Sequence, residues 1–161
     1  MATDHLDTVA NVVVHPSTED PAPAAPQALE PNRDPLLETF HDYGEQGFPF
    51  AVTLYVNGLA VSGDLCSGSE FAFELAKPFS GLAEGTIGRS INDVLVDTQK
   101  TYDERKTKPY DEAGYDYVHL KDARTFLPGR VGMPSNGTYM RFKFSTIDGW
   151  SIGKLTASTN E

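Results

Sequence analysis

The chain has 161 residues, the length of one domain with a tail, and it combines 39% apolar residues with 11 prolines, 14 glycines and a net charge of −10. Nine acidic residues and one base fall within residues 1–47, so the remainder is nearly neutral. This balance disfavours nucleic-acid binding, because affinity for a polyanion comes largely from lysine and arginine. The single cysteine, Cys66, excludes an internal disulfide and is expected to be a small buried residue.

Residues 1–35 are predicted to form a disordered acidic arm that is rich in proline and alanine. Its segment 16–26 has too few bulky apolar residues to offset the entropy of ordering it. A short apolar cluster from Val9 to Val14 is open to two interpretations, a strand or a docking segment and a transiently structured stretch of tail. We see no signal-peptide pattern and no apolar run long enough to cross a bilayer, and therefore expect a cytoplasmic protein without a membrane association.

A short helix is predicted over residues 34–43. Asp34 is a suitable N-cap, and Pro35 suits the first turn. Leu37, Phe40 and Tyr43 fall on one face.

A β-hairpin is predicted over residues 50–65, where two alternating runs flank Asn57-Gly58. Asn-Gly is the preferred dipeptide of a type I′ turn, since both residues tolerate positive φ. The two-residue turn pairs Val56 with Leu59, Leu54 with Val61, Val52 with Gly63 and Phe50 with Leu65, all on one apolar face. The opposite, polar face carries Thr53, Tyr55, Ser62 and Asp64, and Gly63 is expected to mark a bend or bulge.

Helical segments are predicted next, as an insertion at about residues 68–107. Residues 67–70 have a capping-box pattern, which favours a helix over 70–76, although an alternating strand competes for this short run. A longer helix is predicted over 87–106, with an apolar stripe of Ile91, Val94, Leu95 and Thr98 and a charged outer face.

The rest of the chain has strand character. Strands are predicted over residues 115–120, 139–145 and 150–155, with an irregular loop from Pro128 to Gly137. In the strand 139–145, Met140, Phe142 and Phe144 are expected to point inward and Arg141 and Lys143 outward. Residues 36–161 are therefore expected to form a single mainly β (α+β) domain, a small, strongly bent antiparallel barrel of the Sm-like or SH3-like type with a helical insertion.

No pattern in the chain indicates catalysis or cofactor binding. Of the four histidines, His5 and His15 lie in the predicted arm, and His41 lies in the short helix. His119 lies in a predicted strand, without a nucleophile motif, and is expected to be a hydrogen-bonded strand residue. Phosphate-binding glycine motifs and the common metal-ligand spacings are missing. We expect no catalytic residue, no metal, no cofactor and no enzymatic activity.

Four outward side chains are candidates for contact with a partner protein: Tyr55, Tyr139, Arg141 and Lys143. Tyrosine and arginine are enriched at protein interfaces. An ordinary solvated strand surface is the alternative interpretation of the same residues.

Five pieces of the C-terminal half form a spaced combination: residues 117–123 (YVHLKDA), Pro128-Gly129, Pro134-Ser135, Arg141 and residues 147–153 (IDGWSIG). Together with the hairpin 53–63 (TLYVNGLAVSG), this combination resembles the GvpU family of gas vesicle accessory proteins over about residues 36–155. The resemblance implies a non-enzymatic accessory protein that influences gas vesicle assembly or clustering by contacting the vesicle shell, other accessory proteins or further copies of itself. An Sm-like RNA-binding ring protein, or another protein-binding β-barrel module, is the alternative suggested by the barrel pattern.

Overall fold

The computed structural model describes residues 33–127 and 132–156. In chain order its elements are α1 (Pro35–Glu45), β1 (Ala51–Val56), β2 (Leu59–Cys66), α2 (Gly68–Ala76), α3 (Ile87–Arg105), α4 (Tyr110–Ala113), β3 (Tyr117–Phe126), β4 (Met133–Lys143) and β5 (Gly149–Ile152). Short 3₁₀ turns lie at Lys77–Phe79 and Phe144–Thr146.

The described strands form one antiparallel sheet in the order β4-β3-β2-β1-β5. With the helices, this makes an α+β fold. Closure into a barrel requires β4 to pair with β5, but these two strands are the edges of the sheet in the described part of the chain. The sheet is open there, so the predicted barrel and its Sm-like or SH3-like type are not confirmed.

The predicted hairpin is confirmed in turn and register. Asn57 and Gly58 have φ values of 51° and 77°, as a type I′ turn requires. The observed strand partners are Val56 with Leu59, Leu54 with Val61 and Val52 with Gly63, and the Leu65 N–H donates to the Phe50 carbonyl at 2.8 Å. Local turn chemistry and apolar alternation thus agree on a single register.

A β-bulge bends the sheet opposite Gly63, the position predicted to bend. The register between β2 and β3 shifts between Ser62 and Asp64, and Asp122 on β3 takes a φ of 48°. A Cβ at Gly63 would lie 2.9 Å from the Lys121 carbonyl oxygen, so a side chain there would collide with the bulged strand. The absence of a side chain at Gly63 therefore permits the close approach of the two strands.

The main core lies on the apolar face of the hairpin. Its buried side chains from the sheet include Val52, Leu54, Val61, Leu65, Val118 and Leu120. Leu37 of α1 joins this cluster, and Phe40 and Trp150 pack against it with ring centroids 5.5 Å apart. Burial of this apolar surface is the main favourable contribution to folding.

Helix α1 begins as predicted, and Leu37 and Phe40 of the predicted face pack on the core. The Asp34 carboxylate accepts bonds from the Leu36 and Leu37 amides at 2.8 and 3.2 Å, which confirms the N-cap. The helix continues to Glu45, and its buried residues are Leu37, His41, Gly44 and Glu45. Tyr43, on the same helix face as Leu37 and Phe40, is 47% exposed.

The segment after β2 is helical, which decides between the two interpretations of residues 70–76. Ser67 is the N-cap of α2, and its hydroxyl accepts from the Glu70 amide at 3.0 Å. Cys66, just before it, is buried as expected, and burial raises the pKa of its thiol. Helix α3 occupies nearly the predicted residues.

The predicted polar face of the hairpin is partly buried. Thr53 and Ser62 are 1% and 2% exposed, and their hydroxyl oxygens lie 2.5 Å apart. Thr53 also donates to the Gly153 carbonyl at 2.8 Å, and the Leu155 amide donates to the Ser62 hydroxyl at 2.9 Å. The segment after β5 crosses this face and supplies the hydrogen bonds that water would otherwise supply.

The C-terminal strands are longer than predicted, apart from β5. Strand β3 continues to Phe126, and β4 already begins at Met133, within the predicted loop. Phe144 is buried as expected, but it begins a 3₁₀ turn instead of continuing the strand. Residues 128–131 of that loop lie outside the described residues.

Of the predicted arm, the structure describes only residues 33–35. Arg33 donates to the Tyr115 carbonyl, pairs with Glu38 at 2.8 Å and lies 4.4 Å from the ring centroid of Phe144. These contacts join the start of the described chain to the folded body. The rest of the arm, including Val9 to Val14, lies outside the described residues. None of the helices described is both long and apolar enough to span a bilayer.

Gly68→Ala is expected to lower the free energy of unfolding by about 1–3 kcal/mol, because a Cβ at position 68 would lie 2.3 Å from ring atoms of the buried Tyr102. The matched control is Gly149→Ala, whose Cβ would meet only Tyr55, at 4.0 Å. Urea unfolding of both variants measures the difference. Equal midpoints for the two variants would contradict the close packing of α2 on α3.

Candidate functional site

The four residues predicted to contact a partner do not form one patch. Tyr55 is 42% exposed on β1, whereas the other three lie on β4, with β2 and β3 in between. Tyr139 is only partly exposed, and its hydroxyl donates to Glu70 of α2 at 3.2 Å. Arg141 and Lys143 remain exposed on the same strand.

Arg141 links the edge strand to the helical layer. Its guanidinium lies 3.5 Å from the ring centroid of Tyr117 and donates to the Tyr102 hydroxyl at 3.4 Å. A cation over an aromatic face is attracted by the negative face of the ring. Arg141 therefore contributes to packing even though it is exposed, while Lys143 borders a shallow depression of about 240 Å³ with Arg33 and Asp116.

The N-terminal half of α3 presents an unburied apolar surface, which we call the α3 stripe. It is lined by Ile87, Ser90, Ile91, Val94 and Leu95. Ile87 is 82% exposed and Val94 is 65% exposed, and the only buried residue of the helix is Tyr102, near its other end. The predicted amphipathic helix is confirmed, but much of its apolar stripe is exposed, while Tyr102 contacts His119 and Arg141 of the sheet.

The α3 stripe has the surroundings of an interaction surface. Contiguous exposed apolar surface on a folded protein commonly marks a site of protein contact. Ion pairs lie along the same helix, Arg89 with Asp93 at 3.1 Å and Lys100 with Asp97 at 3.2 Å. An apolar centre with a charged rim is the usual composition of a protein–protein interface.

A second group of functional side chains is buried. His41 and Glu45, one turn apart on α1, meet His119 of β3, and all three residues are at most 1% exposed. Glu45 Oε1 lies 3.4 Å from His41 Nε2 and 3.8 Å from His119 Nδ1. The same oxygen accepts the Gly68 N–H at 2.9 Å, at the start of α2. This buried cluster joins three elements of the fold.

The histidines of the buried cluster are held in a neutral state. Burial lowers the pKa of His41 to about 4, although Glu45 acts in the opposite direction. Burial also lowers the pKa of His119. The remaining ring nitrogens contact tyrosine hydroxyls, His41 Nδ1 with Tyr110 at 2.8 Å and His119 Nε2 with Tyr102 at 3.4 Å.

His41, Glu45 and His119 are the described residues whose ligand atoms lie close enough together to hold a metal ion, all within 4.8 Å of one another. The prediction that His119 is a hydrogen-bonded strand residue agrees with its place in β3 and its contact with Tyr102. The sequence analysis did not recognise that His119 meets His41 and Glu45. The helix was expected to end at Tyr43, which removed Glu45 from it. The available signal was the i, i+4 spacing of His41 and Glu45, which places both on one helix face.

The cleft beside α1 offers little chemistry of its own. It measures about 350 Å³ and is lined in part by Arg33, Asp34, Phe144 and Trp150. Its charged groups already have structural partners, since Trp150 Nε1 donates to Asp34 at 2.9 Å and Arg33 pairs with Glu38. The Trp150 hydrogen bond is the main cause of a lowered pKa for Asp34.

A protein-family model described as gas vesicle protein GvpU-like matches residues 34–155. The match covers α1, the whole sheet and the helical layer. Neither the curated proteins nor the solved structures contain a significant match.

Glu45→Ala is expected to lower the free energy of unfolding by about 2–4 kcal/mol, because it leaves the Gly68 amide without its buried acceptor and both histidines without their carboxylate. The matched control is Glu74→Ala, which breaks only a surface pair with Lys77 and is expected to cost about 0–1 kcal/mol. Denaturant unfolding in the presence of a chelator measures both. A Glu45→Ala variant as stable as the control would show that the cluster is dispensable for folding.

Proposed function

The chain belongs to the GvpU-like family of gas vesicle proteins, and from this membership we propose that it is a non-enzymatic accessory protein that acts in gas vesicle assembly or clustering in the cytoplasm. The family match over residues 34–155 is the observation that carries the proposal. Its partners are proteins of the gas vesicle, either the shell or other accessory proteins.

The α3 stripe is the contact surface that we assign to this function. It is apolar and exposed, and it is carried by a helix that the sheet holds near its C-terminal end, around Tyr102. An apolar helix face that docks against another protein gains the free energy of burying it. Ile87 and Val94 are the most exposed apolar residues of α3 and are the expected anchors.

A protein partner fits the charges better than RNA does. Three basic side chains on or next to the sheet are paired with carboxylates: Lys121 with Glu70, Arg124 with Asp122, and Lys154 with Asp64 and Asp122. Paired cations release few counterions on binding a phosphate backbone, and the net charge of −10 opposes a polyanion. RNA binding is therefore the less favoured function.

Arg141 and Lys143 are a second proposed contact, weaker than the α3 stripe, and Tyr55 is a separate one. All three are exposed, but Tyr55 lies on a different strand from the other two. Arg141 and Lys143 are on the edge strand β4, so they can be tested together without affecting the hairpin. Tyr139 is less accessible because α2 packs beside it.

Ile87→Gln combined with Val94→Gln is expected to reduce binding to purified gas vesicles at least about tenfold, because it removes two apolar anchors at the centre of the contact. Binding is measured as the fraction of the full chain that floats with the vesicles during low-speed centrifugation. The matched control is Ile152→Gln on β5, since Ile152 is 69% exposed and equally apolar. Unchanged melting temperatures show that all variants remain folded.

Four results bear on the proposal. Flotation of the wild type and of Ile152→Gln, with loss in the α3 double variant, supports both the function and the surface. Loss only in an Arg141→Ala/Lys143→Ala variant moves the contact to β4. A wild type that does not float but retards RNA at physiological salt contradicts the proposed function, as do unchanged vesicle number, shape and clustering after deletion of the chain.

A further inference from the structure

The buried cluster contains polar atoms that the described part of the protein leaves unpaired. His41 Nε2, Glu45 Oε2 and His119 Nδ1 are inaccessible to solvent and have no hydrogen-bond partner there. An unpaired buried polar atom costs about 1–3 kcal/mol, and a buried carboxylate without a countercharge costs more. The three residues each offer a ligand atom within 4.8 Å of the other two, and two unpaired ring nitrogens beside one buried carboxylate indicate a common ligand.

The distances within the buried cluster are too long for good hydrogen bonds but suit a shared cation. Glu45 Oε1 lies 3.4 Å from His41 Nε2 and 3.8 Å from His119 Nδ1. Nitrogen–oxygen hydrogen bonds are usually 2.7–3.2 Å long. Ligand atoms at about 2.1 Å from a tetrahedral zinc ion are separated by about 3.4 Å. Small side-chain movements would therefore bring all three ligands to metal-binding distance.

The second ring nitrogens of the histidines are anchored as they are in metal sites. Metal-binding histidines commonly bond through their other nitrogen to a group that fixes the ring orientation. Here Tyr110 contacts His41 Nδ1 at 2.8 Å, and Tyr102 contacts His119 Nε2 at 3.4 Å.

We infer that His41, Glu45 and His119 form a binding site for a divalent transition-metal ion, with zinc as the best-fitting probe. Two imidazole nitrogens and one carboxylate oxygen are a common zinc ligand set, and they leave a fourth position for a small ligand such as water. A cleft of about 220 Å³ is bordered in part by Glu45, Tyr110 and Tyr115. The ion would join α1 to β3 and, through the Glu45 bond to Gly68, to α2.

Zinc binding to the untagged full chain tests this inference directly. The protein is first stripped with a chelator and then titrated with Zn²⁺ against a chromophoric competitor, and we expect one equivalent to bind. Zinc is also expected to raise the melting temperature, since the ion binds the folded state more strongly than the unfolded chain. X-ray absorption of the wild-type zinc complex should show imidazole and oxygen ligands and no sulfur, a readout that needs no variant.

Variants locate the site among the four histidines of the chain. His41→Gln and His119→Gln are each expected to weaken binding at least about tenfold, and Tyr110→Phe about 10- to 100-fold because it removes the anchor of His41. The matched control is His5→Gln/His15→Gln, which retains the buried cluster and is expected to bind zinc like the wild type.

Some results would overturn the inference. A folded wild-type chain that binds no zinc at micromolar concentrations would overturn the inference. The cluster would then be a buried polar network without a metal. If the His5→Gln/His15→Gln variant loses binding while His41→Gln keeps it, the metal site lies outside the described residues. Sulfur scattering in the absorption spectrum would assign zinc to Cys66.

Discussion

The fold depends on one buried carboxylate, that of Glu45 at the end of α1. It accepts the first amide of α2 at Gly68 and faces His41 on its own helix and His119 on β3. Gly68 in turn packs against Tyr102, which contacts His119 and Arg141. These contacts fix the helical layer to the sheet near the C-terminal end of α3, and the N-terminal half of that helix, with its apolar stripe, remains exposed.

Local interactions explain what could be predicted from the sequence. The hairpin register follows from Asn57-Gly58 together with alternation over 50–65, and both signals act within a few residues. The N-cap at Asp34 and the start of α2 at Ser67 are equally local, since each side chain accepts bonds from amides two or three residues further on. The family resemblance rested on the spaced C-terminal segments and is supported by the match over 34–155.

The rest could not be predicted, because it depends on contacts between distant residues. His41 and His119 are 78 residues apart, so nothing local indicates that they share a carboxylate. Periodicity showed that α3 has an apolar face but contains no information on whether another element covers it. The alternation of the hairpin places Thr53 and Ser62 on its polar face, which predicts that they are exposed. A segment about 90–100 residues later in the chain buries them instead. Barrel closure likewise depends on how two edge strands, β4 and β5, are placed.

The central claim is that a sheet-anchored helical layer presents the α3 stripe to a gas vesicle protein. Amide hydrogen exchange of the full chain, with and without purified gas vesicles, tests this claim most directly. We expect slower exchange over residues 87–95 in the presence of vesicles, while the Gly68 amide, bonded to Glu45, exchanges slowly in both states. Protection over the β1–β2 hairpin with none over α3, or fast exchange at Gly68 in the free protein, would contradict this account.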